Sequence, residues 1–199
     1  MSNYGVRAMN PSDLGIYYQY IKRDFPVGEY APYDILLQQL RDGRQRGVIL
    51  YEGDQDLAYA ICSGNNEFVL IGLLAVLPQK RGQGLGSKLL AALQRYYADW
   101  AGLIVEVERP ELARSEKEQR TREDRLQFYR QAGFYLIPDI EYIIWGVPMH
   151  LMACPLQMDI DNIFARIETT MYDIYLKQSG SQYIHNLMIK RIGGNQEGN

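Results

Sequence analysis

Short apolar runs separated by turn residues dominate the first half of the chain and predict a regular order of elements. Alternating or continuous apolar runs of five to ten residues are typical of strands, whereas spacings of three and four predict helices. We expect strands over residues 4–9, 47–51, 57–62 and 68–77, and helices that end near residues 25 and 42. Residues 52–55 form a turn sequence between two of these runs, which indicates a hairpin within an antiparallel meander.

The second half of the chain continues this alternation of helices and strands. Leu85, Leu89, Leu93 and Tyr96 recur at helical spacing and predict a helix that packs on the sheet. Downstream we expect a strand at 101–108, a charged surface loop at 110–124 leading into a helix, and a hairpin of residues 141–145 and 149–154. The pattern is that of an α/β domain with helices flanking a sheet.

The last forty residues follow a different pattern. Apolar residues fall on one face of a helix of about five turns, and the residues of this stripe are Ile160, Ile163, Phe164, Ile167, Met171, Ile174 and Tyr175. A break at residues 179–181 precedes a shorter helical turn, and the polar tail is expected to be disordered. We divide the chain into a domain at 1–155, a helical extension at 156–192 and a tail at 193–199. This apolar stripe must be buried, either against its own domain or against a second subunit in a homodimer.

Composition excludes several classes of function. The chain has 199 residues, a net charge of −3 and 47% hydrophobic residues, which suits one globular domain and offers no basic surface for nucleic acid. No apolar run is long enough to cross a bilayer, so we expect a cytoplasmic protein without a membrane partner. Cys62 and Cys154 stand far apart in apolar runs, which predicts two buried free thiols and no metal site.

Three glycines between a strand and a helix are the strongest chemical signal. Gly82, Gly84 and Gly86 lack a β-carbon, so the chain can turn tightly and direct backbone N–H groups at one point. The first turn of the following helix offers further free N–H groups, which favours a phosphate. The spacing is neither the dinucleotide fingerprint G-x-G-x-x-G nor a Walker A loop, because here serine precedes lysine at residues 87–88.

The glycine turn and a second segment together resemble the GNAT superfamily of N-acetyltransferases. Arg81, Gly84 and Gly86 match the pattern Arg-x-x-Gly-x-Gly, and residues 125–134 are similar to the family's helix-then-strand segment around Phe-Tyr-x-x-x-Gly-Phe. The resemblance covers roughly residues 60–154. It implies a mixed, mostly antiparallel central sheet flanked by helices, here with a C-terminal helical extension. It also implies acetyl-CoA as co-substrate, no metal, and direct acetyl transfer to a primary amine of a small molecule.

The resemblance also implies which residues hold the cofactor. The pyrophosphate is expected to bind mainly the main-chain amides of the glycine turn, and the residues of this turn are Arg81, Gly82, Gln83, Gly84, Gly86 and Ser87. Lys80 and Arg81 would add positive charge. The backbone of Leu74, Ala75 and Val76 is implied to pair with the pantetheine arm as an added strand would.

Two carboxylates are the candidates for the catalytic base. Glu106 and Glu108 are two residues apart on a predicted strand, so both project from one face while Val105 and Val107 fill the other. Adjacent acids in the middle of a sheet indicate a cleft, and their proximity should raise the pKa of at least one. The strand frame leaves open which of them is the base, and Glu108 alternatively emerges into solvent.

Tyr129 matches the family's tyrosine that protonates the departing thiolate of coenzyme A, although it alternatively packs in the core. Two departures from the family pattern weaken these assignments, since residues 69–76 contain no acid and residues 120–127 no asparagine. Two further functions remain open. One is acetylation of a protein or peptide amine, and the other is a non-catalytic coenzyme A-binding module.

Overall fold

The computed structural model of the chain describes residues 4–192. Within these residues the chain forms nine strands and five α-helices. The strands are β1 Tyr4–Ala8, β2 Gln45–Glu52, β3 Gln55–Gly64, β4 Phe68–Val76, β5 Gly102–Glu108, β6 Tyr135–Leu136, β7 Ile140–Ile144, β8 Val147–Pro155 and β9 Leu187–Arg191. The helices are α1 Leu14–Asp24, α2 Tyr33–Arg41, α3 Leu85–Tyr96, α4 Glu116–Gln131 and α5 Ile160–Ser179.

The strands form one mixed sheet in the order β1-β2-β3-β4-β5-β8-β7-β9, with β6 paired to β8. Strands β4 and β5 are parallel, because α3 carries the chain across the sheet between them, and the other pairs are antiparallel. The predicted fold class, a mostly antiparallel sheet flanked by helices, is confirmed.

Helices cover both faces of this sheet and create three apolar clusters. Helices α3 and α4 pack on one face, where Leu89 and Leu126 meet Val105. On the other face, α1 and α2 cover the half formed by β2, β3 and the end of β4. The remaining half of that face, formed by β5, β7, β8 and the start of β4, is covered by α5. Because α5 packs on the sheet of its own chain, its apolar stripe is buried there and is not exposed for contact with a second subunit.

The stripe of α5 is buried deeply against this face. Ile163, Ile167, Met171 and Ile174 are fully buried, in one cluster with Leu70 and other sheet residues. Burying such side chains stabilises a fold by about 1.5–3 kcal/mol each. The extension therefore contributes a large share of the core on this side of the sheet.

Two elements differ from the sequence-based expectation. The expected short helical turn is present as a 3₁₀ helix at Ser181–Asn186, but its expected continuation is wrong, because Leu187–Arg191 form β9, which pairs with β7. That open edge offers backbone partners that a local pattern does not reveal. The expected charged loop is in large part helix α4, which begins at Glu116 after Ser115, whose hydroxyl accepts from the Glu118 N–H. The predicted tail at 193–199 lies outside the described residues.

Both cysteines are buried and free, as predicted. Among residues 4–192, no helix combines the length and the apolar composition that crossing a membrane requires. The same residues contain no group of three or more His, Cys, Asp or Glu side chains arranged to hold a metal ion.

Candidate functional site

The two parallel strands separate halfway along their length. Their pairing ends at Ile71 and Val105. Beyond this point β4 continues to Val76 paired only with β3, and β5 continues to Glu108 paired only with β8. The backbone edge of β4 that faces β5 is therefore open to an extended ligand.

A β-bulge at Gly72 coincides with this separation. Ile61 and Cys62 of β3 pair with Leu73 and Ile71, so Gly72 is the extra residue. Before the bulge Leu70 faces the α5 side, and after it Leu73 rather than Gly72 lies on that side of the sheet. The bulge is hidden in the sequence because the whole run is apolar. A glycine inside a strand pattern is nevertheless the known signal for a bulge.

The glycine turn lies at the open end of β4. Gly82 and Gly84 have φ angles of 76° and 68°, which favour glycine, and a β-carbon at either would meet no atom within 4 Å. Gly84 is the N-cap of α3, and within the described chain no side chain caps this helix. Residues 81–84 are exposed, as is Ser87 in the first turn. The turn and the free N–H groups thus fit a phosphate group.

Glycine is needed at position 86 for a different structural reason than at positions 82 and 84. A β-carbon at Gly86 would lie 3.2 Å from Cζ of Phe128, so the glycine lets α3 approach α4 closely. The two sequence segments that suggested the family resemblance are therefore in contact at this point.

Arg81 connects the glycine turn to the end of α1. Its guanidinium forms an ion pair of 2.7 Å with Asp24, and its Nε donates to the Val76 carbonyl oxygen at 3.2 Å. Burial alone would raise the pKa of Asp24, but the hydrogen bonds from Arg23 and Arg81 outweigh it and hold the pKa below its usual value. Lys80 donates to Gln55 at 2.7 Å. Both cations expected near a phosphate thus have protein partners at the edge of the turn.

Glu106 lies on β5 just beyond the point where the strands separate. The hydroxyls of Tyr142 and Tyr175 both donate to its Oε1, the second at 2.8 Å. Burial raises the pKa of the Glu106 carboxyl, the two hydrogen bonds oppose that rise, and the negative charge of Glu29 adds to it. The net result is a pKa above the usual value, which suits a general base. The expected mutual effect of Glu106 and Glu108 is wrong, since Glu29 and not Glu108 is the acid that raises the Glu106 pKa.

Glu108 has very different surroundings. Arg122 lies 3.1 Å from its Oε1 and Arg125 lies 2.8 Å from its Oε2, so both carboxylate oxygens are ion-paired. Such pairs occupy the lone pairs of the carboxylate. Glu108 therefore fits a role in holding α4 to the end of β5 better than a role as a base.

Tyr129 is buried on α4, with its ring against Phe128 and Phe134. Burial raises the pKa of its phenol to about 12, and the positive charge of Arg125 opposes this. The phenol stays protonated at neutral pH, and among residues 4–192 its hydroxyl makes no hydrogen bond. A proton is thus present, although a phenol with this pKa releases it reluctantly.

Sequence reasoning missed three residues of this site. Tyr142 and Tyr175 hold Glu106, and Glu29 belongs to the loop between α1 and α2. Desolvation raises the pKa of Glu29, and the nearby charge of Glu108 raises it further. The sequence contains sixteen tyrosines, but no pattern in it shows which of them converge, and Glu29 has no signal of its own.

A depression of about 380 Å³ lies beside Glu108. It runs between the start of α4 and the tip of the β7–β8 hairpin, and its lining residues are Glu108, Leu112, Arg114, Glu118, Arg122, Gly146, Val147 and Pro148. Leu112 and Val147 are about half exposed, so the depression opens to solvent.

One family model matches the middle of the chain. Residues 43–136 match the family model of the acetyltransferase (GNAT) domain. This segment runs from β2 through the glycine turn, both acids and α4 to β6. A search of curated protein sequences finds no match to the chain.

Three solved structures illustrate the likeness in fold, and each is distant from this chain in sequence. A putative GNAT-family acetyltransferase from Bacteroides thetaiotaomicron has a TM-score of 0.71 at 22% identity, covering 88% of this chain and 98% of that one. The ribosomal-protein-S18-alanine N-acetyltransferase from Escherichia coli has a TM-score of 0.55 at 20% identity, covering 80% and 98%. AAC(6′)-Ib in complex with paromomycin and acetyl-CoA has a TM-score of 0.56 at 16% identity, covering 78% and 94%. At these identities the likeness concerns the fold.

Proposed function

We propose that the chain transfers an acetyl group from acetyl-CoA to a primary amine of a small molecule, because residues 43–136 match the acetyltransferase (GNAT) domain model. The observation that carries the proposal is the position of Glu106. Its carboxylate lies where β4 and β5 separate, at the end of the open strand edge that leads to the glycine turn.

The backbone between Gly72 and the first turn of α3 would hold the cofactor. The open edge at Leu74, Ala75 and Val76 offers hydrogen-bonding groups to the amide-bearing arm, and the glycine turn offers N–H groups to the pyrophosphate. Acetyl-CoA, when bound, supplies an acetyl group activated as a thioester.

The amine must lose a proton before it can attack. An alkylammonium with a pKa of about 10.4 is neutral in roughly one molecule in a few thousand at pH 7, a handicap of about 4 to 5 kcal/mol. Glu106 would accept this proton directly or through one water. The nitrogen gains the acetyl group, and the coenzyme leaves as a thiol after Tyr129 supplies a proton to the sulfur.

The state of the two cysteines supports direct transfer in a ternary complex. Burial raises the pKa of the Cys62 thiol to about 12, and burial also raises that of Cys154. Thiols held protonated in this way are poor nucleophiles, so neither cysteine supports an acyl-enzyme route.

Three carboxylates near the open end of the gap favour a cationic acceptor. Glu29 interacts electrostatically with Glu106 and with Glu108 there, and these negative charges would attract an amine that carries a second positive charge. The solvent-open depression beside Glu108 favours a second candidate, a protein or peptide amine, which a groove accommodates more readily than a closed pocket does. The Escherichia coli neighbour named for an alanine of ribosomal protein S18 supports the same alternative.

Calorimetric titration with acetyl-CoA tests the proposal first. We expect binding by the wild type and its loss in Gly84→Trp, because the added side chain would occupy the turn. Gly43→Trp is the matched control, since Gly43 also has a positive φ angle with no atom within 4 Å of a β-carbon but lies at the other end of the sheet. Absence of binding to the wild type would overturn the proposal.

An acceptor screen then separates the substrate classes. Diamines and amino sugars represent small cationic amines, and peptides with free N-termini represent the alternative. Release of free thiol with the first group supports the proposed substrate class, whereas release with peptides alone replaces it. Tight acetyl-CoA binding without turnover of either group would indicate the non-catalytic module.

A further inference from the structure

Helix α5 brings a phenol from the C-terminal extension to the carboxylate of β5. The hydroxyl of Tyr175 donates to Oε1 of Glu106 at 2.8 Å across 69 positions of sequence. Tyr142 of β7 donates to the same oxygen. A single carboxylate oxygen thus receives hydrogen bonds from a strand of the sheet and from the helix that packs on the sheet.

Tyr175 is held firmly by its own helix. Met171 and Ile174 beside it are fully buried, and Tyr175 itself is buried together with the fully buried Tyr142. A side chain packed in this way has few alternative rotamers, so the hydroxyl has a fixed position. The direction of its hydrogen bond therefore restrains the Glu106 carboxylate.

Both tyrosines bind Oε1, and among residues 4–192 no hydrogen bond reaches Oε2. We infer that Tyr175 is a positioning residue, which orients Glu106 so that Oε2 is the atom that accepts the proton of the amine. This inference rests on the proposed function, since it assigns a supporting residue to the base. It also makes the extension at 156–192 a functional part of the site rather than an appended helix.

The charged and titratable groups around Glu106 set the direction of the expected effect. Tyr142 and Tyr175 donate to it, and Glu29 faces it from the loop between α1 and α2. Glu108, paired with Arg122 and Arg125, lies further along the same strand. Hydrogen bonds from phenols stabilise the ionised carboxylate, so removing one raises the carboxyl pKa.

Carbon-13 NMR of labelled glutamate side chains tests the inference without any acceptor. The Glu106 signal is assigned by its loss in Glu106→Gln and titrated against pH in each variant. We expect Tyr175→Phe to raise the pKa of Glu106 by about one unit, because a hydrogen bond to a charged group is lost. Tyr172→Phe is the control, since Tyr172 is about half exposed on the same helix, and it should leave the titration unchanged. An unchanged pKa in Tyr175→Phe overturns the inference.

A measurement on the wild-type protein tests the same hydrogen bond, so that misfolding of Tyr175→Phe cannot decide the result. The Cζ signal of Tyr175 should follow the titration of Glu106, and this response should vanish in Glu106→Gln. A Tyr175 signal that ignores the Glu106 titration would also overturn the inference.

Kinetics with an acceptor from the screen adds a second readout. The acid limb of the kcat/KM profile should move to higher pH in Tyr175→Phe by the same amount as the NMR titration. In the Glu106→Gln background, Tyr175→Phe should change kcat less than twofold, because its effect passes through the carboxylate. Failure of acetyl-CoA binding would instead refute the proposed function and leave the NMR result intact.

Discussion

Glu106 and Glu108 are two positions apart on β5, but the protein groups around each of them affect its negative charge differently. Burial and the charge of Glu29 disfavour the ionised form of Glu106, and together they outweigh the hydrogen bonds from the two phenols. Glu108 is surrounded by two guanidinium groups. Opposite effects on stability should therefore follow when each charge is removed.

Glu106→Gln should abolish most activity and stabilise the fold at neutral pH. The glutamine oxygen can still accept from both tyrosines, while loss of the base should lower kcat at least about 100-fold. The folded protein binds the Glu106 proton more tightly than the unfolded chain, so the charge opposes folding above the folded pKa and has no effect below the unfolded pKa of about 4.3. We expect a gain of about 1 kcal/mol at pH 7.5 that vanishes near pH 4, measured by thermal unfolding.

Glu108→Gln is the matched control for this experiment. It loses ion pairs to Arg122 and Arg125 and should destabilise the fold by up to about 1 kcal/mol. A Glu106→Gln protein that unfolds earlier than the wild type at pH 7.5 would contradict the assignment of an unfavourable buried charge.

Tyr129→Phe should lower kcat about tenfold or more while leaving acetyl-CoA affinity and folding nearly unchanged, because the ring packing remains. Transfer from a phenol with a pKa of about 12 to a thiolate with a reference pKa of about 8.5 is uphill by about 5 kcal/mol. The phenol pKa must therefore fall when the substrates bind. Turnover equal to that of Tyr135→Phe, a change on an exposed side chain, would rule out this proton donor.

At the residue level, the sequence predicted strand β5 and its two acids but not the side chains that contact those acids. Alternation along β5 separates Glu106 and Glu108 from Val105 and Val107, and burial of both valines against α3 and α4 confirms that frame. The distinction between the acids depends on tyrosines 36 and 69 positions away. No local sequence pattern reveals contacts over such separations. The sequence could therefore narrow the candidates for the catalytic base to two residues but not to one.

At the scale of elements, the ion pair between Asp24 and Arg81 connects helix α1 to the glycine turn. The Asp24 side chain is only 6% exposed, so its charge depends on its arginine partners. This contact couples the position of the glycine turn to that of helix α1.

Asp24→Asn should destabilise the fold by about 1–3 kcal/mol at neutral pH and weaken acetyl-CoA binding several-fold, because it frees Arg81 and loosens the turn. The Asp24 pKa is lowered in the folded state, so its stabilisation is present above about pH 4 and is lost as pH falls through the folded pKa. The stability difference from the wild type should therefore shrink in acid, as chemical denaturation at pH 7 and pH 3 can measure. Asp42→Asn, which removes a surface pair with Arg44, is the control and should leave acetyl-CoA affinity unchanged.

Elements with a strong period were predictable, and those that depend on distant partners were not. Helix α3 and the hairpin of β2 and β3 follow directly from apolar spacing and turn residues. The start of α4 was missed because its first turns carry no apolar stripe and are stabilised by a cap and by pairs such as Glu118 with Arg122. Strand β9 was missed because the edge of β7 that it pairs with lies more than forty residues upstream.

At the scale of the whole molecule, the order of strands and helices followed from the sequence patterns and the resemblance they support. The location of α5 did not follow from the sequence, because an amphipathic stripe shows that one face of a helix is covered but not what covers it. The structure places this helix on the sheet face beside Glu106, where packing and the site meet. The domain at 1–155 should therefore not fold without the extension.

Truncation after Met158 tests this dependence. It removes four fully buried side chains of α5, worth roughly 6–12 kcal/mol together, against a total stability of about 5–15 kcal/mol for a typical domain. We expect an aggregated or molten product with exposed apolar surface at Phe68, Leu70 and Ile104, detectable by dye binding and by loss of dispersion in NMR spectra. Truncation after Ile192 is the control and should match the full chain. A folded monomer of residues 1–158 that binds acetyl-CoA normally would show that α5 is dispensable for the core and for the cofactor site.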